Sequence, residues 1–333
     1  MSTSTFARPR GFTLVELLVV LGILVVLSTV AVQSLSGVQD QAQYQATQRS
    51  LTNIEDAVLG PSNSSANGFS NASGFVADMG RLPFALPVTL PDGSTLRDAS
   101  NKVVLQPGEL WQNNTHLPAL ALVQASWDKD ISVACGWRGP YLRLGIGQSS
   151  LSDGWGNPYV LLKADRTLAG SGDEAAIFRS NGSDNLVSSA ATGDYRDDVY
   201  LNFNTLEFKA PAAFPVAFKA DRYHVSALLA TIKGVDTALG NVFVVYYGPD
   251  PETGGLLQYH NATGETPTVT LTSTVTNAVF TAGPRTLRAY QMTQDNSAVS
   301  KMSNIVRANL VAGVNPFDFD LTLTATANQA GFK

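Results

Sequence analysis

The sequence predicts an α+β protein: a long N-terminal helix, transmembrane in its first part, packs on a small antiparallel sheet, and an all-β sandwich domain follows. Three observations carry this expectation. An apolar run of about 21 residues, Phe12 to Val32, passes into a segment of helical periodicity that ends at Leu59. Between residues 60 and 210, aromatic residues alternate with glycine and proline in turn-forming clusters. From about Pro211 onward the chain consists of short β-rich runs separated by turns.

At 333 residues the chain accommodates two modest domains and a helical extension. Hydrophobic residues make up 44% and charged residues 15%, which suits folded, core-forming material. A net charge of -5, with no block of Lys and Arg, argues against nucleic acid as a partner. Cys135 stands alone in the sequence, so no intramolecular disulfide is expected. His116, His224 and His260 show no metal-ligand spacing and read as surface or core residues.

The N-terminus is the most informative part. Residues 1–11 form a short polar leader with Arg8 and Arg10 and no acid, which sets it on the cytoplasmic side. The apolar run that follows is longer than the h-region of a cleaved signal peptide, and no Ala-x-Ala site follows it. A plain single-pass anchor is the simpler alternative, but it leaves Glu16 unexplained. A carboxylate costs about 2.5–3.5 kcal/mol at the centre of a bilayer, and such acids mark function. Glu16 lies about 6 Å along the helix from Phe12. Cleavage between Gly11 and Phe12 would give Phe12 a charged amino group, which Glu16 of a neighbouring copy would neutralise.

The stretch Gly11-Phe12-Thr13-Leu14-Val15-Glu16, followed at once by an apolar run, resembles the processing motif of type IV prepilins and type II secretion pseudopilins. The resemblance implies that prepilin peptidase cuts between Gly11 and Phe12 and N-methylates Phe12, and that Glu16 serves assembly. It also implies a homo-oligomeric filament of pilin-like subunits built at an inner-membrane assembly platform. The globular part would sit in the periplasm and later on a periplasmic or surface filament. The expected division is a leader at 1–11, a helix at 12–59 with 12–32 in the membrane, a pseudopilin-like domain at 60–210, and a β-sandwich at 211–333. Where that family commonly has a helix-breaking proline, this chain has Gln33, and the helix is expected to run on to the stop at Gly60-Pro61.

In the middle region, Gly136-Trp137-Arg138-Gly139-Pro140-Tyr141-Leu142 and Asp153-Gly154-Trp155-Gly156-Asn157-Pro158-Tyr159 read as tight turns packed by rings, with a carbohydrate-stacking surface as the alternative. Their pattern is similar to that of major pseudopilins, which implies a short sheet lying on the N-terminal helix. Tyr159–Lys163 and Ala176–Arg179 are its expected strands. The segment from Ser180 to Asp198 reads either as a solvated acidic loop or as a cation loop built from carboxylates and carbonyls. Resemblance to the pseudopilin calcium loop makes Ser180, Asp184, Asp197 and Asp198, with Gly182 between them, the candidate calcium ligands. Asn185 replaces the glycine of that pattern.

Seven β-rich runs are expected beyond Pro211: Tyr223–Ile232, Asn241–Tyr247, Thr266–Thr274, Ala278–Thr281, Thr286–Gln291, Asn304–Leu310 and Phe317–Ala325. Ala278 to Tyr290 loosely resembles the transthyretin-like sandwich. No Gly-x-x-x-x-Gly-Lys-Ser/Thr loop, Gly-x-Ser-x-Gly elbow or His-Glu-x-x-His helix occurs, and no spacing pairs the carboxylates, so no enzyme is expected. Two roles remain open: a structural subunit of a secretion pseudopilus or related filament, or a minor pilin or tip adhesin that binds a surface or cargo through its C-terminal domain.

Overall fold

The computed structural model describes residues 14–61, 74–90, 92–98, 101–113, 117–187, 198–203, 225–263, 268–272, 280–310 and 313–324. Within these the protein is mostly β, with one long helix at its N-terminal end. Helix α1 spans Leu14–Leu59 without interruption, and 46 residues at about 1.5 Å each make a rod of about 69 Å. The short α2 (Phe75–Met79) is wholly buried and stops at Gly80 (φ 72°), where a left-handed backbone closes the turn.

Small sheets follow. Strand β1 (Leu86–Pro87) pairs with β2 (Leu105–Gln106), and β3 (Ala121–Gln124) forms a hairpin with β4 (Ser132–Cys135). A three-stranded antiparallel sheet has the order β5 (Val160–Leu162), β6 (Ile177–Ser180), β7 (Val199–Asn202). The strand expected at Tyr159–Lys163 and its partner at Ala176–Arg179 are therefore present, with Val160 opposite Arg179.

The C-terminal strands are β8 (Val225–Lys233), β9 (Val242–Pro249), β10 (Leu256–Thr263), β11 (Thr268–Thr272), β12 (Gly283–Met292), β13 (Val299–Met302), β14 (Val306–Leu310), β15 (Gly313–Asp320) and β16 (Leu323–Thr324). One sheet runs β10-β9-β12-β13-β16, with β14 also paired to β12; the other runs β11-β8-β15, with β15 parallel to β8. Five of the expected runs overlap β8, β9, β11, β12 and β14. Phe317–Ala325 divides between β15 and β16, and of Ala278–Thr281 the first two residues lie outside the described ones while Phe280 and Thr281 precede β12. β10 and β13 were not expected.

Three cores organise these elements. The first joins Leu51, Ile54 and Val58 of α1 to Leu161, Phe178 and Leu201 of the β5–β7 sheet. The second lies between the two C-terminal sheets, where Leu228 and Ile232 face Val244, Tyr246 and Leu287. The third covers the opposite face of the larger sheet: Ile131, Val133 and Cys135 from the β4 end of the hairpin pack on Phe243, Val245, Tyr247 and Tyr290. Strand β9 is buried along its whole length because its alternate residues enter different cores. The hairpin belongs to 60–210 in sequence and shares its core with strands beyond 211.

Candidate functional site

The candidate site is α1, whose two halves present opposite surfaces. From Leu14 to Leu27 twelve large apolar side chains stand exposed, distributed all round the helix. Burying each would be worth about 1.5–3 kcal/mol, or on the order of 20 kcal/mol together. That exceeds the whole stability of an ordinary domain, about 5–15 kcal/mol, so this surface requires a cover other than water. Among the described residues no helix is long and apolar enough to cross a membrane. Side chains on this run are described from Leu14 to Thr29, and the sequence carries the run to Val32.

Glu16 stands in the first turn of α1, surrounded by exposed Leu14, Val15, Leu17 and Leu18. An acid here complements the positive end of the helix dipole. Gly11 and Phe12, the expected cleavage pair, lie outside the described residues.

The second half of α1 is anchored by chemistry the sequence only hinted at. Thr47, Leu51, Ile54 and Val58 recur every three or four residues and form the buried stripe. Gly154 donates its amide to Thr47 Oγ1 at 2.9 Å, and a Cβ at Gly154 would collide with the Gln43 carbonyl oxygen. Only glycine allows this approach. Asp153 holds the turn: its Oδ1 accepts from the amides of Trp155 (3.0 Å) and Asn157 (2.8 Å), and its Oδ2 accepts from Ser180 Oγ at 2.7 Å. The Asp-Gly-Trp-Gly turn thus clamps α1 to strand β6. The turn itself was expected; its contact with the helix 107 residues earlier was not.

A second buried cluster ties the hairpin to the C-terminal sheet. Asp128 Oδ2 accepts from Arg288 Nη1 and from the Tyr290 hydroxyl, each at 2.6 Å, and Tyr290 shares a 2.9 Å hydrogen bond with Tyr247. Burial pushes the phenols of Tyr247 and Tyr290 above their ordinary range; for Tyr290 the hydrogen bond donated to Asp128 acts in the same direction. Nearby, Arg285 Nη1 donates to the Ala77 carbonyl at 2.8 Å, which joins β12 to α2. Sequence reasoning missed this cluster.

Among the described residues no group of three or more His, Cys, Asp and Glu is placed to hold a metal. Ser180 is committed to Asp153, and Asp184 Oδ1 accepts from the Leu186 amide at 3.0 Å. Asp198 Oδ2 accepts from the Tyr200 hydroxyl at 2.8 Å and lies 3.9 Å from Arg179 Nε, a cationic neighbour. As placed, these three do not form a cation cage, and Asp197 lies outside the described residues. The side chains of His116, His224 and His260 also lie outside them.

No curated protein matches the chain. Residues 7–32 match the family described as the prokaryotic N-terminal methylation motif, and this match supports a type IV pilin-like protein, processed by prepilin peptidase and anchored in the membrane by its N-terminus.

Proposed function

We propose that the chain is a structural subunit of a type II secretion pseudopilus or a closely related type IV pilus-like filament. It would be inserted in the bacterial inner membrane through residues 12–32, cut between Gly11 and Phe12, N-methylated on Phe12, and drawn into a helical fibre at an inner-membrane assembly platform. The observation that carries this reading is the bare apolar half of α1, which lies within the residues that match the methylation motif. Fibre packing moves that surface from lipid to the helices of neighbouring subunits without exposing it to water. Glu16 then meets the Phe12 ammonium of another copy, and a carboxylate that is costly in lipid gains a countercharge on assembly.

The reading treats the facing C-terminal sheets as a β-sandwich displayed on the outside of the fibre. It assigns the protein no catalytic role. The test is Glu16→Ala in the full-length chain. Membrane insertion and processing are expected to persist while the assembled fraction collapses; unimpaired assembly would overturn the role of Glu16.

A further inference from the structure

We infer that a cavity beside Arg49 and Arg143 receives an acidic side chain from a second copy of this chain, Asp40, and that this contact sets the stagger of subunits along the fibre; the inference rests on the filament reading above. The cavity has a volume of about 330 Å³ and lies between α1 and the loop that follows Leu142. Arg49 and Asn53 line it from the helix; Arg143, Gln148 and Ser152 line it from the loop. No acid lines it. Neither guanidinium makes an ion pair or hydrogen bond among the described residues, whereas Arg81, Arg138 and Arg288 all have carboxylate partners.

Two cations at one polar cavity call for an anion, and guanidinium donors suit a carboxylate in particular. Lipid phosphate is out of reach. Arg49 lies 17 residues beyond Val32, roughly 25 Å past the apolar run at the helical rise.

Asp40 supplies the matching charge. It lies on the same helix, is half-buried, and has no cation or hydrogen-bond partner among the described residues. Nine residues separate it from Arg49, which is about 13.5 Å along the axis and about two and a half turns. The two charges therefore sit on opposite sides of one rod, displaced along it, and do not meet within a copy. Between copies they form a head-to-tail contact, the kind that propagates as an open helical array. Beside the cavity Ile146 projects with 109% relative exposure, between Gly145 and Gly147, as an apolar tip that the same neighbour would cover.

The experiment is charge reversal in the full-length chain in its native membrane, with the assembled fraction read by sedimentation and cross-linking. Arg49→Glu combined with Arg143→Glu is expected to lower assembly roughly tenfold or more, as like-charge contacts do at interfaces. Asp40→Arg alone should do the same, and combining it with the two arginine reversals should restore assembly. Processing at Phe12 and membrane insertion should be unchanged in every variant. Reversals that assemble like the wild type would overturn the inference. Loss without restoration would assign the acid to a different protein and overturn the role of Asp40. A processed wild-type chain that never assembles would remove the filament reading, and this contact with it.

Discussion

The two halves of α1 share one backbone geometry and differ in what covers them. In the half that ends at Leu59, Ile54 is 0% exposed against the β5–β7 sheet; in the first half, Leu14 is 78% exposed. The difference shows that the helix is specified by two partners. Among the described residues the chain supplies the second half with a sheet and a glycine clamp, and it supplies the first half with no cover. On the filament reading proposed above, that bare surface is covered first by lipid and then by other subunits.

The β3–β4 hairpin offers a third case, in which apolar residues are covered within the chain and sealed by buried charge. Breaking that seal should give the largest effect. Asp128→Ala removes the buried carboxylate from Arg288, leaving it only the exposed carboxylate of Asp130 at 3.6 Å, and should lower stability by about 3–5 kcal/mol, read by chemical denaturation of the full-length protein. A loss below about 1 kcal/mol would mean that hairpin and sheet are not coupled as described.

The helix halves can be compared directly by deleting the same kind of side chain from each. Ile54→Ala should cost about 2–5 kcal/mol by leaving a cavity in the first core. Leu21→Ala, in the bare half, should change the melting of the folded domains by less than about 0.5 kcal/mol. Equal losses at both sites would refute the division of α1. Gly154→Ala drives a methyl group into the Gln43 carbonyl and should cost about 1–3 kcal/mol, with α1 loosened from the sheet in hydrogen exchange.

How much of this was legible in the sequence follows from range. The helix was, because an apolar run, a periodic stripe and the Gly60-Pro61 stop are local signals. So were β5, β6 and most of the C-terminal strands, which are apolar runs bounded by turns. The hairpin was not. Leu117 to Val123 is apolar without alternation and stays mostly exposed, while the sheet residues that cover Ile131, Val133 and Cys135 lie more than 100 positions away. Asp128-Lys129-Asp130 reads as a solvated turn, and nothing local reveals that Asp128 finds Arg288 across 160 residues. β10, with Gln258, His260 and Asn261, lacks the apolar pattern that marks a strand. At the candidate site, Gly11, Phe12 and Glu16 could be read from a local motif, whereas the clamp at Gly154 depends on tertiary approach.

Two smaller effects sharpen the account. Burial raises the Tyr159 hydroxyl from 10.0 to about 12. A raised folded-state value favours the protonated phenol, so its contribution to stability is complete below pH 10 and lost as the pH rises toward about 12. Tyr247 and Tyr290 shift in the same direction, so melting temperature should be flat to pH 10 and fall steeply above it. A midpoint of loss below pH 9 would contradict their burial. Calcium is a separate test: melting that ignores both calcium and chelator would keep Ser180, Asp184 and Asp198 in the protein hydrogen bonds described above. A calcium-dependent rise of several degrees, reversed by chelator, would instead assemble these residues with Asp197 around an ion.

The central claim is that the bare half of α1 enters assembly behind a newly exposed, methylated Phe12. N-terminal mass spectrometry of the native chain tests it most directly. The account predicts a mature protein that begins at N-methylated Phe12 and keeps the whole of α1. A native chain that begins at Met1, or one trimmed beyond Val32, would contradict it.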